Sequence, residues 1–270
     1  MKEKLRFISP AIVIAALAAT AFFLLKLEDE YLWKVQELNL HLDTPVFLHQ
    51  QMVTSGWLLT WLGTWLTEFF YHAWMGVGVL CLWWAVLMAV LWRTFRIPLK
   101  WTVVLLVPVA ALLLGNVTLG YWIYYLKLRG LFFAATIGAT VAAAAVWLYR
   151  LLPARYFVRP LFAVVSTAVL YPLVGFYGLL ATLLMVIITW RIEGTAAGRL
   201  VATVAGVLAV VAVPLLYYNY VYYQTSITNI WWTGLPLFVM DEEYHAYYIP
   251  YYIRALSMAV MAALYRPQHQ

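Results

Sequence analysis

Two groups of ionisable side chains in this sequence lie directly beside long apolar segments. The first is an acidic run, Glu28, Asp29 and Glu30, which follows the first apolar segment. The second is the pair Glu68 and His72, which precedes the next one. Such groups are costly near apolar surroundings unless they are paired or hydrated, so both need an explanation. Because carboxylates and imidazoles serve as general acids and bases, the candidate catalytic residues are Asp29, Glu30, Glu68 and His72.

A stripe of tryptophans leads up to Glu68 and His72. Trp57, Trp61 and Trp65 precede them, and steps of 4, 4, 3 and 4 residues predict one face of a helix for all five. Two explanations stay open. In the first, Glu68 and His72 hydrogen-bond each other and a neighbouring helix, and the indoles form a belt at the membrane interface. In the second, this face lines a pocket where the indoles bind substrate. Two such ligands do not make a metal site, so no metal-binding residues are predicted.

Later segments supply candidates for binding a phosphate and a substrate. The candidate phosphate ligands are basic residues at or near the ends of apolar segments: Lys127, Arg129 and Arg254. Contact with lipid headgroups, without catalysis, explains them equally well. The outer segment 217–249 is rich in tyrosine, and its Tyr247 and Tyr248 are the candidates for contact with a sugar ring. The tyrosines as a set also fit a plain membrane interface.

The composition decides which elements must position these side chains. The 270 residues are 66% hydrophobic and 10% charged, and their mean hydropathy is +0.86. Such a chain lacks the polar surface that a water-soluble globule needs, and its long apolar runs without two-residue alternation exclude a transmembrane barrel. We therefore predict an all-α, polytopic transmembrane helical bundle, with a single transmembrane domain over residues 1–270.

The apolar runs predict about eight spans. Six of them cover about residues 8–25, 72–92, 101–120, 130–149, 200–216 and 250–265, and it stays open whether the last one crosses the membrane. Residues 160–190 are too few for two spans of ordinary length. They form either two short tilted helices with a turn buried in protein or one re-entrant hairpin.

The outer-face region 26–71, between the first two spans, has helix signals of its own. Apolar residues from Tyr31 to Leu42 recur at helical steps and predict an amphipathic helix along the membrane surface. Thr44 and Pro45 are typical of a cap and first turn, and a further helix is predicted to open at Trp57.

The charges predict the orientation of the spans. With the N-terminus in the cytoplasm, 12 of the 17 lysines and arginines lie inside and 9 of the 11 acids lie outside. This distribution obeys the positive-inside rule and favours a bacterial inner membrane protein whose unusual polar residues collect on the outer face. Because the basic residues lie at span ends, no nucleic-acid partner is expected.

Asp29 and Glu30, followed by Tyr31 directly after the first span, resemble the corresponding site of the polytopic C-type glycosyltransferases. In that family an outer-loop carboxylate acts as a base or metal ligand, and a polyprenyl-phosphate sugar is the donor. The resemblance implies that Asp29 or Glu30 deprotonates an acceptor hydroxyl, directly or through a divalent metal ion. No other position follows from the resemblance. From the residues alone, we expect Arg129 or Arg254 to stabilise the phosphate leaving group, because arginine is the better phosphate ligand.

The stretch from Ser55 to Gly76, SGWLLTWLGTWLTEFFYHAWMG, is similar to a family of uncharacterised polytopic membrane proteins of Bacteroidota. The likeness covers roughly residues 28–80 and the turn at 171–178. Members of that family carry a TQFFYYPW-like segment where this chain has Thr67 and Glu68, which argues against an essential carboxylate at that position. They are also longer, so this chain is either a short member or an N-terminal portion.

Two functions remain. The first is a glycosyltransferase-like enzyme that uses a polyprenyl-phosphate-linked donor at the outer face, with the lipid bilayer and this lipid as its partners. The alternative is a non-catalytic subunit or scaffold that docks a protein partner, unknown from the sequence, through its outer aromatic loops. A transporter is disfavoured because the centres of the spans hold almost no ionisable residues.

Overall fold

The computed structural model of the protein describes residues 4–118, 130–153, 157–222, 225–235 and 248–266. Over these ranges it contains eleven α-helices and no β-strand, which confirms the predicted fold class. The helices are α1 (Lys4–Leu27), α2 (Asp29–Glu37), α3 (Pro45–Gln51), α4 (Trp57–Thr67), α5 (Ala73–Phe95), α6 (Leu106–Thr118), α7 (Leu131–Leu151), α8 (Val158–Val174), α9 (Phe176–Ile192), α10 (Ala196–Tyr220) and α11 (Ile249–Ala263). Two longer 3-10 helices, Glu68–Tyr71 and Leu99–Leu105, precede α5 and α6.

Five of these segments are long and apolar enough to cross a membrane: Ile8–Lys26, Ala73–Phe95, Leu99–Thr118, Leu131–Leu151 and Ala196–Tyr220. Three shorter apolar helices, α8, α9 and α11, complete the bundle. The α8–α9 pair shows that the region predicted as two short helices or a re-entrant hairpin is two helices, which meet at a buried Gly175.

The bundle has two distinct ends. One end carries α2, α3 and α4 and is termed the α2–α4 end. The other is termed the basic end, where Arg159 pairs with Glu193 at 3.1 Å and Arg150 donates to the carbonyl of Arg93 at 3.0 Å. The Arg150 guanidinium also lies 5.1 Å from the ring centre of Tyr265, just beyond α11. The last helix therefore runs from one end of the bundle to the other.

Helix α7 lies at the centre of the bundle, in contact with α4, α5 and α9. Small residues make this possible, because most of its alanines, glycines and threonines are buried. Trp84 of α5 donates to the Thr136 hydroxyl at 3.1 Å, and Gly138 leaves no room for a side chain beneath the Tyr177 ring. The neighbours of α7 are thus held by close packing and hydroxyl contacts.

Three loops meet at the α2–α4 end in what is termed the glycine junction, formed by residues 55–56, 171–176 and 230–234. The Gly56 amide donates to the Pro172 carbonyl and the Phe176 amide to the Thr233 carbonyl, both at 2.8 Å. Gly56 and Gly175 have φ of +83° and +56°, a backbone conformation that favours glycine. Segments 26–72, 171–178 and 217–252 therefore contact one another at this end of the bundle. Tyr121 to Arg129 lie outside the described residues.

The helices of the outer-face region differ from the predictions in two places. The Thr44 hydroxyl caps α3 by accepting from the Phe47 amide at 3.3 Å, and α4 opens at Trp57, as predicted. Helix α2, however, ends at Glu37, before the predicted end at Leu42.

The predicted continuous helical face from Trp57 to His72 is wrong in its second half. Helix α4 ends at Thr67, Glu68 opens a 3-10 turn, and His72 is extended with a ψ of 106°. The physical reason is that α5 starts in a new direction at Ala73, with His72 as its N-cap residue.

Helix α4 approaches the start of α7 too closely to admit a side chain at Gly63. A Cβ atom built on Gly63 would lie 2.5 Å from the Gly130 carbonyl oxygen. Gly78, in α5, has nothing within 4 Å of the same built atom and is exposed.

We expect Gly63→Ala to lower the free energy of unfolding by about 1–3 kcal/mol, because a backbone carbonyl must move to admit the methyl group. Gly78→Ala is the matched control, and we expect it to be neutral or stabilising by up to about 1 kcal/mol. Unfolding of the purified protein in detergent, followed by circular dichroism, measures both. Equal stability of the two variants would contradict the close approach of α4 and α7.

Candidate functional site

A groove of about 660 Å³ opens at the α2–α4 end, between the first turns of α2 and the start of α5. Its walls contain carboxylates, an amine and aromatic rings. The lining residues are Asp29, Glu30, Tyr31, Trp33, Lys34, Phe70, Tyr71 and Ala73. The structure therefore brings two of the predicted catalytic residues, Asp29 and Glu30, into the same concave surface.

Helix α2 forms the acidic wall of the groove, and its inner face fixes its position. Leu32 is fully buried, and the Tyr31 hydroxyl donates to the Asn116 carbonyl of α6 at 2.9 Å. Burial raises the pKa of the Tyr31 phenol well above its usual value, and the Glu28 carboxylate raises it further. Tyr31 is therefore a neutral hydrogen-bond donor at physiological pH.

The two carboxylates of the groove are accessible. Asp29 and Glu30 are exposed, lie in the first turn of α2, and form no ion pair with any described residue. The positive end of the helix dipole stabilises negative charge at this position. Lys34, which also lines the groove, pairs with Glu37 at 2.6 Å. Both carboxylates are therefore accessible to a ligand in the groove.

The second wall is aromatic and starts from a buried anchor. The Phe70 ring is buried, with its centre 5.3 Å from that of Phe132 and 5.6 Å from that of Phe133. The next residue, Tyr71, is 69% exposed, and Trp33 across the groove is 57% exposed. Exposed tyrosine and tryptophan are typical of the headgroup level of a membrane. The groove thus combines an acidic wall with rings suited to that level.

The Glu68 carboxylate is held by two amide side chains, those of Gln36 in α2 and of Asn39 just after α2. Its Oε1 accepts a hydrogen bond from the Asn39 amide, which also donates to the Thr64 carbonyl at 2.9 Å, and its Oε2 accepts from Gln36 at 3.4 Å. This set is termed the Glu68 clasp. Glu68 thus bonds to a neighbouring helix, as one explanation predicted, but its partner is not His72. The clasp binds the end of α4 to the end of α2.

His72 and the tryptophans lie apart from the groove. The exposed His72 ring lies 5.0 Å from the Tyr71 ring and 6.4 Å from that of Trp74, centre to centre. Trp57, Trp61 and Trp65 do share one face of α4, but none of them lines the groove. His41 lies 5.8 Å from Trp61 between ring centres, and its Nδ1 is 3.1 Å from the Thr64 hydroxyl.

The remaining predicted site residues have different surroundings. Tyr248 is buried at the start of α11, with its ring beside those of Tyr251 and Tyr252. Arg254 is buried and donates from Nη2 to the Tyr177 hydroxyl at 2.8 Å. Lys127, Arg129 and Tyr247 lie outside the described residues.

Sequence reasoning missed several residues around these sites. Asn39 and Gln36 complete the Glu68 clasp, and only a long-range contact reveals them. Asn116, inside an apolar span, was a detectable signal, since a polar residue at that position needs a partner. Tyr177 was visible only as one aromatic residue among many.

The described residues contain no group of three or more His, Cys, Asp or Glu side chains arranged to hold a metal ion. Asp29 and Glu30 are adjacent carboxylates, and oxygen ligands of this kind suit Mg²⁺ when a substrate phosphate and water complete the coordination. They are therefore the residues that fit such an ion.

Comparison with known proteins gives a family and no activity. Residues 4–269 match the family model described as "Family of unknown function (DUF6057)". No curated protein matches the chain, and no solved structure matches it. The likeness to Bacteroidota proteins and to C-type glycosyltransferases stays a prediction. Because the match covers nearly the whole chain, the protein belongs to the DUF6057 family of unknown function.

Proposed function

We propose that this protein is a membrane-bound transferase that moves a sugar or similar group from a polyprenyl-phosphate donor to an acceptor hydroxyl. The reaction takes place in the groove, at the outer face of a bacterial inner membrane. One observation carries the proposal: the groove joins the Asp29 and Glu30 carboxylates to exposed aromatic rings beside the ends of two helices that are able to span a membrane.

The chemistry requires one base and one departing phosphate. Asp29 or Glu30 accepts the proton of the acceptor hydroxyl, and the hydroxyl oxygen forms a bond to the anomeric carbon of the donor. The bond between that carbon and the phosphate oxygen breaks, and the polyprenyl phosphate leaves with the electron pair. A divalent ion on the two carboxylates would stabilise the charge that develops on the phosphate.

The aromatic rings of the groove favour an amphiphilic donor. Sugar C–H groups pack on ring faces, and Tyr71 and Trp33 present such faces beside the carboxylates. A polyprenyl tail needs the apolar phase, which the bilayer around α1 and α5 supplies. The groove therefore suits a donor whose head lies at the interface and whose tail stays in the membrane.

The basic end supports the proposed orientation. Arg93, Arg150, Arg159 and Arg191 lie at the ends of α5, α7, α8 and α9 that are remote from the groove. Because arginine is retained on the cytoplasmic side, the groove would face outward.

The second candidate function, a scaffold that docks a partner through its aromatic loops, has less support. Where the aromatic segment is described, its rings mainly pack inward. Trp232 stacks on Phe176 at 5.9 Å, and the Tyr222 ring lies against Tyr217, where burial raises its pKa to about 12.

Neutral variants of the two groove carboxylates test the base. We expect Asp29→Asn or Glu30→Gln to lower kcat by roughly a hundred- to ten-thousandfold, because the proton acceptor is lost. Asp43→Asn is the control, since Asp43 is an exposed carboxylate in the same region that does not line the groove. The assay follows release of polyprenyl phosphate from a panel of polyprenyl-phosphate sugars, with and without a chelator of divalent ions. Unchanged turnover in both groove variants would refute the proposal.

The aromatic wall is tested by a matched pair of exposed rings. Tyr71 lines the groove and Trp74 does not, although each is 69% exposed. We expect Tyr71→Ala to raise KM for the donor about three- to tenfold with little change in kcat, because a ring face that packs on the sugar is lost. Trp74→Ala should leave both constants near their wild-type values. The same effect in both variants would indicate a general role at the interface.

Variants of Glu68 test whether this carboxylate has a structural role, in contrast to the proposed catalytic role of Asp29 and Glu30. We expect Glu68→Gln to keep turnover and stability. The oxygen of the new amide still accepts from Asn39, and its NH2 group donates to the Gln36 side-chain oxygen once the Gln36 amide has turned over. Glu68→Ala should lower the free energy of unfolding by about 1–3 kcal/mol, since it leaves those amides without their acceptor. Turnover and thermal unfolding are measured for both. Loss of turnover in a stable Glu68→Gln protein would make Glu68 a catalytic residue.

A further inference from the structure

Arg254 is a buried cation with no carboxylate partner among the described residues. The residue is 2% exposed, and its side chain lies inside the bundle near the α2–α4 end. Its Nη2 donates to the Tyr177 hydroxyl at 2.8 Å, and the guanidinium carbon lies 5.0 and 4.9 Å from the ring centres of Tyr177 and Tyr251. Its buried Nε has no hydrogen-bond partner. Among the described residues, its interactions are thus with one hydroxyl and two ring faces.

Such an environment leaves the charge of Arg254 uncompensated. Buried charges are normally paired, because removing an ion from water costs more than one neutral hydrogen bond returns. Arg159, the other buried arginine among the described residues, shows the usual solution, since its Nη1 pairs with Glu193 at 3.1 Å. Its Nε also lacks a hydrogen-bond partner, so the missing carboxylate is what distinguishes Arg254. Arg254 thus retains a donor for an anion.

The guanidinium borders a narrow crevice between α6 and α11. The crevice is too narrow to admit a water molecule. Its other lining residues include Gly115 and Asn116 of α6 and Pro250 of α11. An anion in so dry a site would interact strongly with Arg254, because little water screens the charges.

One hydrogen bond joins a residue that lines the crevice to a residue that lines the groove. Asn116 lines the crevice, and its carbonyl accepts from Tyr31, which lines the groove. Arg254 lies two turns or less from the ends of the helices around it: Tyr177 is the second residue of α9 and Arg254 the sixth of α11. Arg254 therefore lies nearer to the α2–α4 end of the bundle than to the basic end.

We infer that Arg254 binds the phosphate group of a lipid that enters between α6 and α11. A guanidinium is the preferred protein partner of phosphate, because its planar set of donors fits two phosphate oxygens. The lipid tail stays in the bilayer, and the group attached to the phosphate points toward the groove. The two helices part to admit the phosphate. The inference deepens the proposed function and rests on it for the identity of the lipid, while the need for an anion rests on Arg254 alone.

The test compares lipids that differ only in charge. Full-length protein in detergent is titrated with a polyprenyl monophosphate, with the uncharged polyprenol of equal length, and with inorganic phosphate. Native mass spectrometry measures the binding. We expect the wild type to prefer the polyprenyl monophosphate, and Arg254→Met to weaken its binding by roughly ten- to hundredfold without changing the binding of polyprenol. Arg254→Lys should fall between the two, because it keeps the charge and loses the fork.

Thermal unfolding of the ligand-free proteins separates a binding role from a structural one. Replacing an unpaired buried cation by an apolar side chain of similar length should leave the unfolding midpoint unchanged or raise it. If Arg254→Met does not fold, the phosphate binding of Arg254→Lys is compared with that of Tyr177→Phe. The Tyr177→Phe variant loses one hydrogen bond but no charge. Weaker phosphate binding in Arg254→Lys alone supports the inference. An unchanged preference for phosphate in Arg254→Met or Arg254→Lys overturns it.

The remaining arms identify the source of the phosphate and keep the two proposals apart. Binding of inorganic phosphate alone would support the anion site and name a free ion as its ligand, whereas binding of neither phosphate overturns the inference. Asp29→Asn should keep the preference for polyprenyl monophosphate. Retained preference without transfer in any assay would refute the transferase and leave the phosphate site standing.

Discussion

The glycine junction is the constraint on which the groove depends. Two hydrogen bonds between backbone groups form this junction. The Gly56 amide donates to the Pro172 carbonyl, and the Phe176 amide donates to the Thr233 carbonyl, both at 2.8 Å. Gly56 is also the N-cap residue of α4, so the junction fixes where α4 begins. The Glu68 clasp then joins the far end of α4 to the end of α2. Asp29 and Glu30 are therefore positioned by a chain of contacts that begins at the turn between α8 and α9.

The two walls of the groove are held by different physical means. The acidic wall depends on hydrogen bonds, from Tyr31 to Asn116 and through the clasp, whereas the aromatic wall depends on the burial of Phe70 among other rings. None of these supports uses the carboxylates of Asp29 or Glu30. Both carboxylates therefore stay available to a ligand in the groove.

The long apolar helices could be predicted from the sequence because a membrane-spanning helix needs a long run of apolar residues. The start of α4 could be predicted because Gly56 and Trp57 form a local helix-start signal. Sequence prediction failed where a long-range contact overrides a local period. Regular spacing placed Glu68 and His72 on one face, but the direction of α5 ends the helix at Thr67. The prediction joined the tryptophan stripe to Glu68 and His72, yet the groove lies between Asp29 and Tyr71. No spacing rule brings those two residues together.

A neutral hydrogen bond stands between the acids of the groove and the buried cation. If Asp29 or Glu30 paired with Arg254, the pair would neutralise both the base and the phosphate ligand. Tyr31 lines the groove on one side and bonds on the other to Asn116, which lines the crevice of Arg254. Because burial raises its pKa, Tyr31 stays protonated and adds no charge to either site. The acids and the cation thus line separate cavities, joined by a hydrogen bond that carries no charge.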